Sequence, residues 1–384
     1  MTPLQWLDAL QGSGIRPGLA RMRALLRELK HPERAYRSII VAGTNGKGST
    51  AAMIESISRA SGVRTGFYIS PHLVDIRERW GIDGAMIDPD LLDRSIEKLQ
   101  AAAGRAGIVP TYFEALTLIA FVAFAHGRCE LAVLEVGMGG RLDATNVVKP
   151  LASVITPVGL DHQEFLGETI AKIAFEKAGI IHRGAIVLTS NDDERVLRVL
   201  RRRAAKFGNR VVEVHDEHDT PLAGAFQRRN AALAVATARA LGIDERAIEA
   251  GVKGTRWRGR LECLRVGEKE IWVDGGHNPH AVEQTAPFIE ANIPRPRLLV
   301  FGIMSDKDVQ AVAGRLFPLF DRIITTEPYP PRSVRADSFP GVTAIPDPEE
   351  AFRAALASGE RSIVVTGSLY LAGAALRFFD KIAA

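Results

Sequence analysis

Residues Ile39-Ile40-Val41-Ala42 run an apolar segment straight into the turn Gly43-Thr44-Asn45-Gly46-Lys47-Gly48-Ser49-Thr50, and Ala51-Ala52-Met53-Ile54-Glu55-Ser56-Ile57 then reads as a helix. A strand that is apolar throughout belongs inside a parallel sheet covered on both faces, so the rest of the chain has to supply helices for each face. The turn itself suits an anion. Its backbone N–H groups and the positive end of the following helix converge on a phosphate, and Lys47 adds a mobile cation near the β- and γ-phosphates. Ser49 or Thr50 is left to reach a magnesium ion. The common spelling G-x-x-x-x-G-K-[ST] fails twice, with Val41 where the first glycine should stand and Gly48 where the hydroxyl should. The loop is therefore a variant phosphate loop.

Strand and helix patterns alternate on both sides of this junction. Residues 1 to 37 read as helical, with Gly18 to Leu26 the clearest amphipathic piece. Strands are predicted at Thr65–Ser70, Leu131–Val136, Ala152–Thr156 and Ala185–Leu188, with helices near 89 to 104, Phe113 to His126 and 168 to 178 between them. This order predicts an α/β fold with a parallel sheet and helices on both faces. A second alternating run follows Trp257-Arg258-Gly259-Arg260, with strands at Ile271–Asp274, Arg297–Gly302, Ile323–Thr325 and Ser362–Thr366 and a helix from Pro279 to Asn292. The expected organisation is a phosphate-loop ATPase domain over 1–258 and a smaller Rossmann-like α/β domain over 259–384.

A length of 384 residues, 46% of them hydrophobic, accommodates two such cores. Cys129 and Cys263 make neither a disulfide framework nor a zinc site, which fits a reducing cytoplasm. No apolar run approaches the roughly 18 residues of a spanning helix, so a membrane partner is not expected. The net charge of +4 favours anionic ligands. Its densest basic run, Arg198 to Arg203, has no interleaved aromatic residues to stack on bases, and nucleic acid is not expected as a partner.

Polar residues collect at strand ends and helix starts, where open α/β sheets bind ligands. Ser70-Pro71-His72 follows one strand, Asp161-His162 another, and Glu114 begins an otherwise apolar helix. A carboxylate beside Phe113, Leu116 and Leu118 needs a compensating cation, and a magnesium ion is one candidate. The other reading makes Glu114 a first-turn carboxylate favoured by the helix dipole.

Taken together, these segments resemble the Mur ligase superfamily, and within it folylpolyglutamate synthase and dihydrofolate synthase. The resemblance rests on Gly43 to Ser49, Ser70-Pro71-His72-Leu73 with Glu78-Arg79, Tyr112-Phe113-Glu114, Glu135 to Asn146, Leu160-Asp161-His162 and Glu176 to Ile180. It continues with Gly259-Arg260-Leu261-Glu262, Asp274 to Pro279, Asp306-Lys307-Asp308 and Gly367-Ser368-Leu369-Tyr370. Two features depart from the family. Phe226 precedes Gln227 where a histidine is usual, and the stretch from 189 to 225 is short.

The resemblance implies that Thr44, Asn45, Gly46, Lys47, Gly48 and Ser49 hold the ATP phosphates. It implies magnesium, two ions in all, on Ser49, Ser70, Glu114, His162 and a carbamate formed on Lys177. Asn230 and Arg260 would contact adenine and phosphate, Asp274 the ribose, and His277 the reacting phosphate. Without the resemblance, Lys177 reads as a helix-end lysine and His277 as a histidine satisfied by a turn. The implied reaction is ATP-driven amide synthesis in the cytoplasm by a monomer. An acceptor carboxylate, of dihydropteroate or a tetrahydrofolate, takes the γ-phosphoryl group, and L-glutamate displaces phosphate from the acyl phosphate. Both activities are expected of one chain, a single activity being the alternative. Peptidoglycan-precursor synthesis would require a nucleotide-sugar domain ahead of the loop, and the loop starts too early for one. A phosphate-loop switch that hydrolyses nucleotide without an acceptor, and a kinase that stops at the acyl phosphate, are the remaining readings.

Overall fold

The computed structural model describes residues 2–14 and 16–383. Its first sheet holds eight strands: β1 Arg37–Ala42, β2 Thr65–Tyr68, β3 Trp80–Ile82, β4 Ala85–Met86, β5 Leu131–Glu135, β6 Ala152–Ile155, β7 Ile186–Thr189 and β8 Val211–Glu213. They lie in the order β4-β3-β2-β5-β1-β6-β7-β8. β1 is central and parallel to both neighbours, with Val41 opposite Glu135 on β5 and Val154 on β6. Ile39, Ile40 and Val41 are wholly buried, as the unbroken apolar run requires.

Helices Lys47–Ala60 and Tyr112–His126 are two of the elements that flank this sheet, and both are buried over most of their length. The first packs on helix Glu245–Gly254. Gly251 makes that approach possible, since a Cβ there would run into the backbone of Ile57. A cluster around Ile40, Ile155, Ile173, Ile180 and Val187 fills the side of β1, β6 and β7.

The second sheet has six strands: β9 Glu262–Val266, β10 Lys269–Val273, β11 Arg297–Phe301, β12 Arg322–Thr325, β13 Thr343–Ala344 and β14 Ser362–Thr366. Their order is β13-β12-β11-β14-β10-β9, parallel except for the antiparallel β9–β10 pair. Separate apolar clusters cover its two faces, one built on Ile271, Leu298, Ile363 and Phe379 and the other on Leu299, Phe301, Val312 and Val364.

Two compact units result, and a single cut of the sequence does not separate them. Pro71–Ile76 and Leu222–Gln227 belong to the second unit together with Arg256–Ala384. Leu73 and Val74 join the second unit's core. Its helix Leu369–Ala383 receives them because Gly373 lacks the Cβ that would strike the Leu73 carbonyl. In the first unit the basic run 198–203 lies on helix Glu194–Ala205, where Arg201 pairs with Glu194 and Glu213 at its solvent face.

Candidate active site

The phosphate loop leaves the end of β1 and is tied to the segment that leaves β6. Thr44 donates its hydroxyl to the Gly159 carbonyl and accepts from the Gly159 N–H, each at 3.0 Å. The Thr156 hydroxyl donates to the Asn45 carbonyl at 2.8 Å and occupies the space where a side chain on Gly43 would sit. Gly46 caps helix Lys47–Ala60 in the left-handed region, with φ 86°. Its open face looks onto the side-chain amide of the buried Asn230, so no other residue fits there without moving that amide. Lys47 folds back to donate to the Thr44 carbonyl at 3.0 Å. Ser49 and Thr50 are buried in the helix's first turn, and the Thr50 hydroxyl has no hydrogen-bond partner among the described residues.

Lys177 comes to the same loop from the end of helix Ile170–Lys177, and its Nζ donates to the Gly43 carbonyl at 2.6 Å. Only 4% of the residue is exposed. Burial and the neighbouring charge of Lys47 bring its pKa down to about 7, against the opposing pull of Asp161 and Asp143. The turn Gly139-Gly140-Arg141 abuts this helix end. A Cβ on Gly140 would stand 2.9 Å from the Glu176 carbonyl, and Arg141 both donates its N–H to that carbonyl and pairs with the Glu176 carboxylate. Asp143, buried in the same turn, accepts from the N–H groups of Gly137, Met138 and Thr145 and from the Thr145 hydroxyl. Burial raises its pKa and these donors oppose the rise.

Glu114 is not short of a cation. Its carboxylate accepts from the Arg21 Nε at 3.0 and 3.1 Å, and its Oε2 accepts from the Thr111 N–H at 2.8 Å. Thr111 accepts from the Glu114 N–H in return, which completes a capping box. A guanidinium 93 residues away in sequence thus compensates the charge of the buried Glu114, and the T-x-x-E spacing was the signal for the cap. Glu135, which opens the Glu135 to Asn146 motif but has no role in the sequence reading, is a further candidate ligand. It is buried at the carboxyl end of β5, opposite the strand that feeds the phosphate loop, and its Oε2 accepts from the Ser70 N–H at 3.4 Å. An acid ending the strand beside the phosphate-loop strand is a signal that sequence alone can offer.

His162 has φ 50° and heads the short helix Gln163–Leu166, with its N–H on Asp161 Oδ1 at 2.9 Å and its Nε2 3.8 Å from Asp161 Oδ2. His162 and Glu114 line one cavity of about 440 Å³, with Phe113, Met138, Asp143 and Phe165 among the other walls. Among the described residues, no three His, Cys, Asp or Glu side chains gather as a metal cage. The candidate donors near the loop are the hydroxyls of Ser49 and Ser70, the Glu135 carboxylate and the His162 ring, to which phosphate oxygens would add. That donor set suits magnesium, which is a hard ion that keeps several oxygen ligands from substrate and water.

In the second unit, Arg260, Asp274 and His277 meet at the turn between β10 and helix Pro279–Asn292. The buried Asp274 carboxylate accepts from the N–H groups of Gly276 at 2.8 Å and Leu261 at 3.1 Å. Burial raises its pKa and the Arg260 charge opposes that. Arg260 Nη1 donates to the Gly259 carbonyl at 2.9 Å and lies where a side chain on Gly275 would clash. His277 Nδ1–H donates to the Gly275 carbonyl at 2.9 Å, so the other ring nitrogen carries any acid–base role.

Residues 41–220 match the Mur ligase middle domain and residues 259–369 the Mur ligase, glutamate ligase domain. Fold and site define an ATP-dependent ligase of the Mur type. The chain is 31% identical over 411 residues to the dihydrofolate synthase/folylpolyglutamate synthase of Bacillus subtilis, with 95% of each covered. It is also similar to solved structures. Folylpolyglutamate synthase of Mycobacterium tuberculosis, complexed with ADP and AMPPCP, gives a TM-score of 0.89 at 31% identity over 98% of both chains. E. coli FolC in complex with DHPP and ADP gives 0.91 at 28% identity over 100% of this chain and 99% of that one. The chain belongs to the dihydrofolate synthase/folylpolyglutamate synthase family.

Proposed function

We propose that this chain is a bifunctional dihydrofolate synthase and folylpolyglutamate synthase, joining L-glutamate to the carboxylate of dihydropteroate or of a tetrahydrofolate at the expense of ATP. The observation that carries this reading is the Lys177 amine on the Gly43 carbonyl of the phosphate loop, buried and with a pKa of about 7. A phosphate-loop switch has no use for a second lysine there that is about half neutral at pH 7. A ligase that forms a carbamate does, because carbon dioxide adds only to a neutral amine and leaves an anionic metal ligand.

The loop residues Thr44 to Ser49, with Lys47 as its cation, hold the ATP phosphates. An acceptor carboxylate oxygen attacks the γ-phosphorus as the bond to the β-phosphate oxygen breaks, which yields an acyl phosphate and ADP. The amine of glutamate then attacks the acyl carbon, phosphate leaves and the nitrogen gives up a proton. Two anions meet in the first step, so the barrier is largely electrostatic, and Lys47 lowers it by standing near the transferring group. Magnesium, when bound, supplies further neutralisation of the phosphate oxygens. We assign it Ser49, Ser70, His162 and carboxylated Lys177, with Glu135 taking the place that the family resemblance implies for Glu114. The ordered pairing of Glu114 with Arg21 supports that exchange.

Asn230, Arg260 and Asp274 are assigned to the nucleotide and His277 to the transferring phosphate. The cavity walled by Phe113, Met138, Phe165 and Asp143 is assigned to the pteridine-bearing acceptor, its apolar faces suiting a flat ring and its carboxylate a ring N–H. The first unit then serves as the ATP-binding domain and the second, which includes 71–76 and 222–227, as the glutamate-ligase domain. The enzyme works as a cytoplasmic monomer, and no helix is long and apolar enough to cross a membrane among the described residues. ADP formation is the test. It should require glutamate together with either dihydropteroate or tetrahydrofolate. Turnover with neither acceptor present would favour a switch, and turnover with acceptor but without glutamate a kinase. Failure with one acceptor alone removes that activity.

A further inference from the structure

The acceptor cavity has one wall without regular structure. Gly14, Arg16, Pro17 and Gly18 line it, facing Thr111, Phe113 and Glu114 on the other side. Gly14 and Gly18 both have positive φ, 67° and 132°, conformations that other residues rarely adopt, and a Cβ at either would meet nothing within 4 Å. One side chain joins the two walls. Arg21, at the start of helix Ala20–Glu28, gives Nε to the Glu114 carboxylate and Nη2 to the Arg16 carbonyl at 2.6 Å, and its Nη2 also lies 3.0 Å from Glu114 Oε1. Arg21 itself does not line the cavity.

We infer that Arg21 is a positioning residue for the acceptor: its guanidinium clamps the loop at Arg16 to the helix start at Glu114 and so fixes the width of the cavity. The inference rests on the assignment of this cavity to the acceptor. Arginine suits this role because two separate nitrogens of one plane, Nε and Nη2, serve the carboxylate and the carbonyl, whereas a lysine has to reach both acceptors from a single nitrogen at the end of a flexible stem. The side chain of Glu114 is only 6% exposed, so its charge cannot be left without a partner, and the clamp is held closed by the cost of opening it. The carboxylate that the sequence suggested for a metal therefore acts on the acceptor through Arg21 and the loop.

The test uses R21K, which keeps a cation for Glu114, and the double variant R21M/E114Q, which removes both charges and avoids a buried unpaired carboxylate. Both are compared with wild type in Michaelis constants for acceptor and for ATP, and in 15N order parameters of the Arg16 and Gly18 amides without ligands. The expected result is a rise of about tenfold or more in acceptor KM with ATP KM within about twofold. The two amides should fall from about 0.85 to below about 0.6 in order parameter. A merely structural role would move both Michaelis constants together or neither. Unchanged order parameters in both variants would overturn the clamp, and loosened amides with an unchanged acceptor KM would overturn its role in acceptor binding. If wild type turned over no pteroate-type acceptor, the ligase reading would fall instead, and the order parameters would still decide whether Arg21 holds the loop.

Discussion

Carbon dioxide is the perturbation that reports on Lys177. A pKa of about 7 leaves roughly ten neutral amines for each charged one at pH 8, whereas an ordinary lysine near 10.5 leaves about one in 300 neutral. Carboxylation at that pH is therefore favoured about 300-fold over an exposed lysine, and it should fall off as pH drops through about 7. The assay is phosphate release by enzyme held in decarbonated buffer near pH 6, then returned to pH 8 with or without bicarbonate. Turnover should fall by about tenfold or more without bicarbonate and recover with it, and labelled bicarbonate should give a carbamate carbon signal that Lys177→Ala lacks. Lys177→Ala should fold and lose nearly all turnover, with partial return on adding short carboxylates. Turnover indifferent to carbon dioxide, or a variant with wild-type rates, would rule out the carbamate.

The same amine bears on stability. Its folded pKa lies below the unfolded value, so the folded state binds fewer protons and stability rises with pH. The penalty is absent above about pH 10.5, grows as pH falls and is complete below about 7. Lys177→Met should therefore gain on wild type in unfolding free energy between pH 10 and 7, by an amount on the order of 3 kcal/mol at pH 8 less about 1 for the lost bond to Gly43, as chemical denaturation would show. Gly46→Ala should raise ATP KM by about tenfold or more with acceptor KM little changed, since φ 86° and the Asn230 amide both oppose a Cβ. Asp143→Ala strips four donors of their shared acceptor, and thermal melts should show a loss of about 3 kcal/mol.

Much of this architecture can be read from the chain because its central strands are apolar throughout and its helices long. Ile39 to Ala42, Leu131 to Leu134 and Ser362 to Val365 lie buried inside parallel sheets and so carry an unbroken signal. Strands Trp80–Ile82, Ala85–Met86 and Glu262–Val266 pair antiparallel near the sheet edges, are short or alternate in exposure, and give no comparable run. The phosphate loop was legible because glycine and lysine spacing is local. Glu114 was not, because its partner Arg21 is brought to it only by the folded chain. Lys177 shows the same limit in reverse. Apart from the family resemblance a helix-end lysine is unremarkable in sequence, and its reach to Gly43 and its burial are visible only in the folded chain.

The proposed chemistry turns on phosphorylation of the acceptor carboxylate before glutamate arrives. Dihydropteroate labelled with 18O in its carboxylate, turned over with ATP and glutamate, decides it by mass spectrometry of the released phosphate. One labelled oxygen in each phosphate is the predicted result, since the carboxylate oxygen that attacked phosphorus leaves with it. Unlabelled phosphate would mean that water attacked ATP, and a ligase mechanism through an acyl phosphate would be wrong.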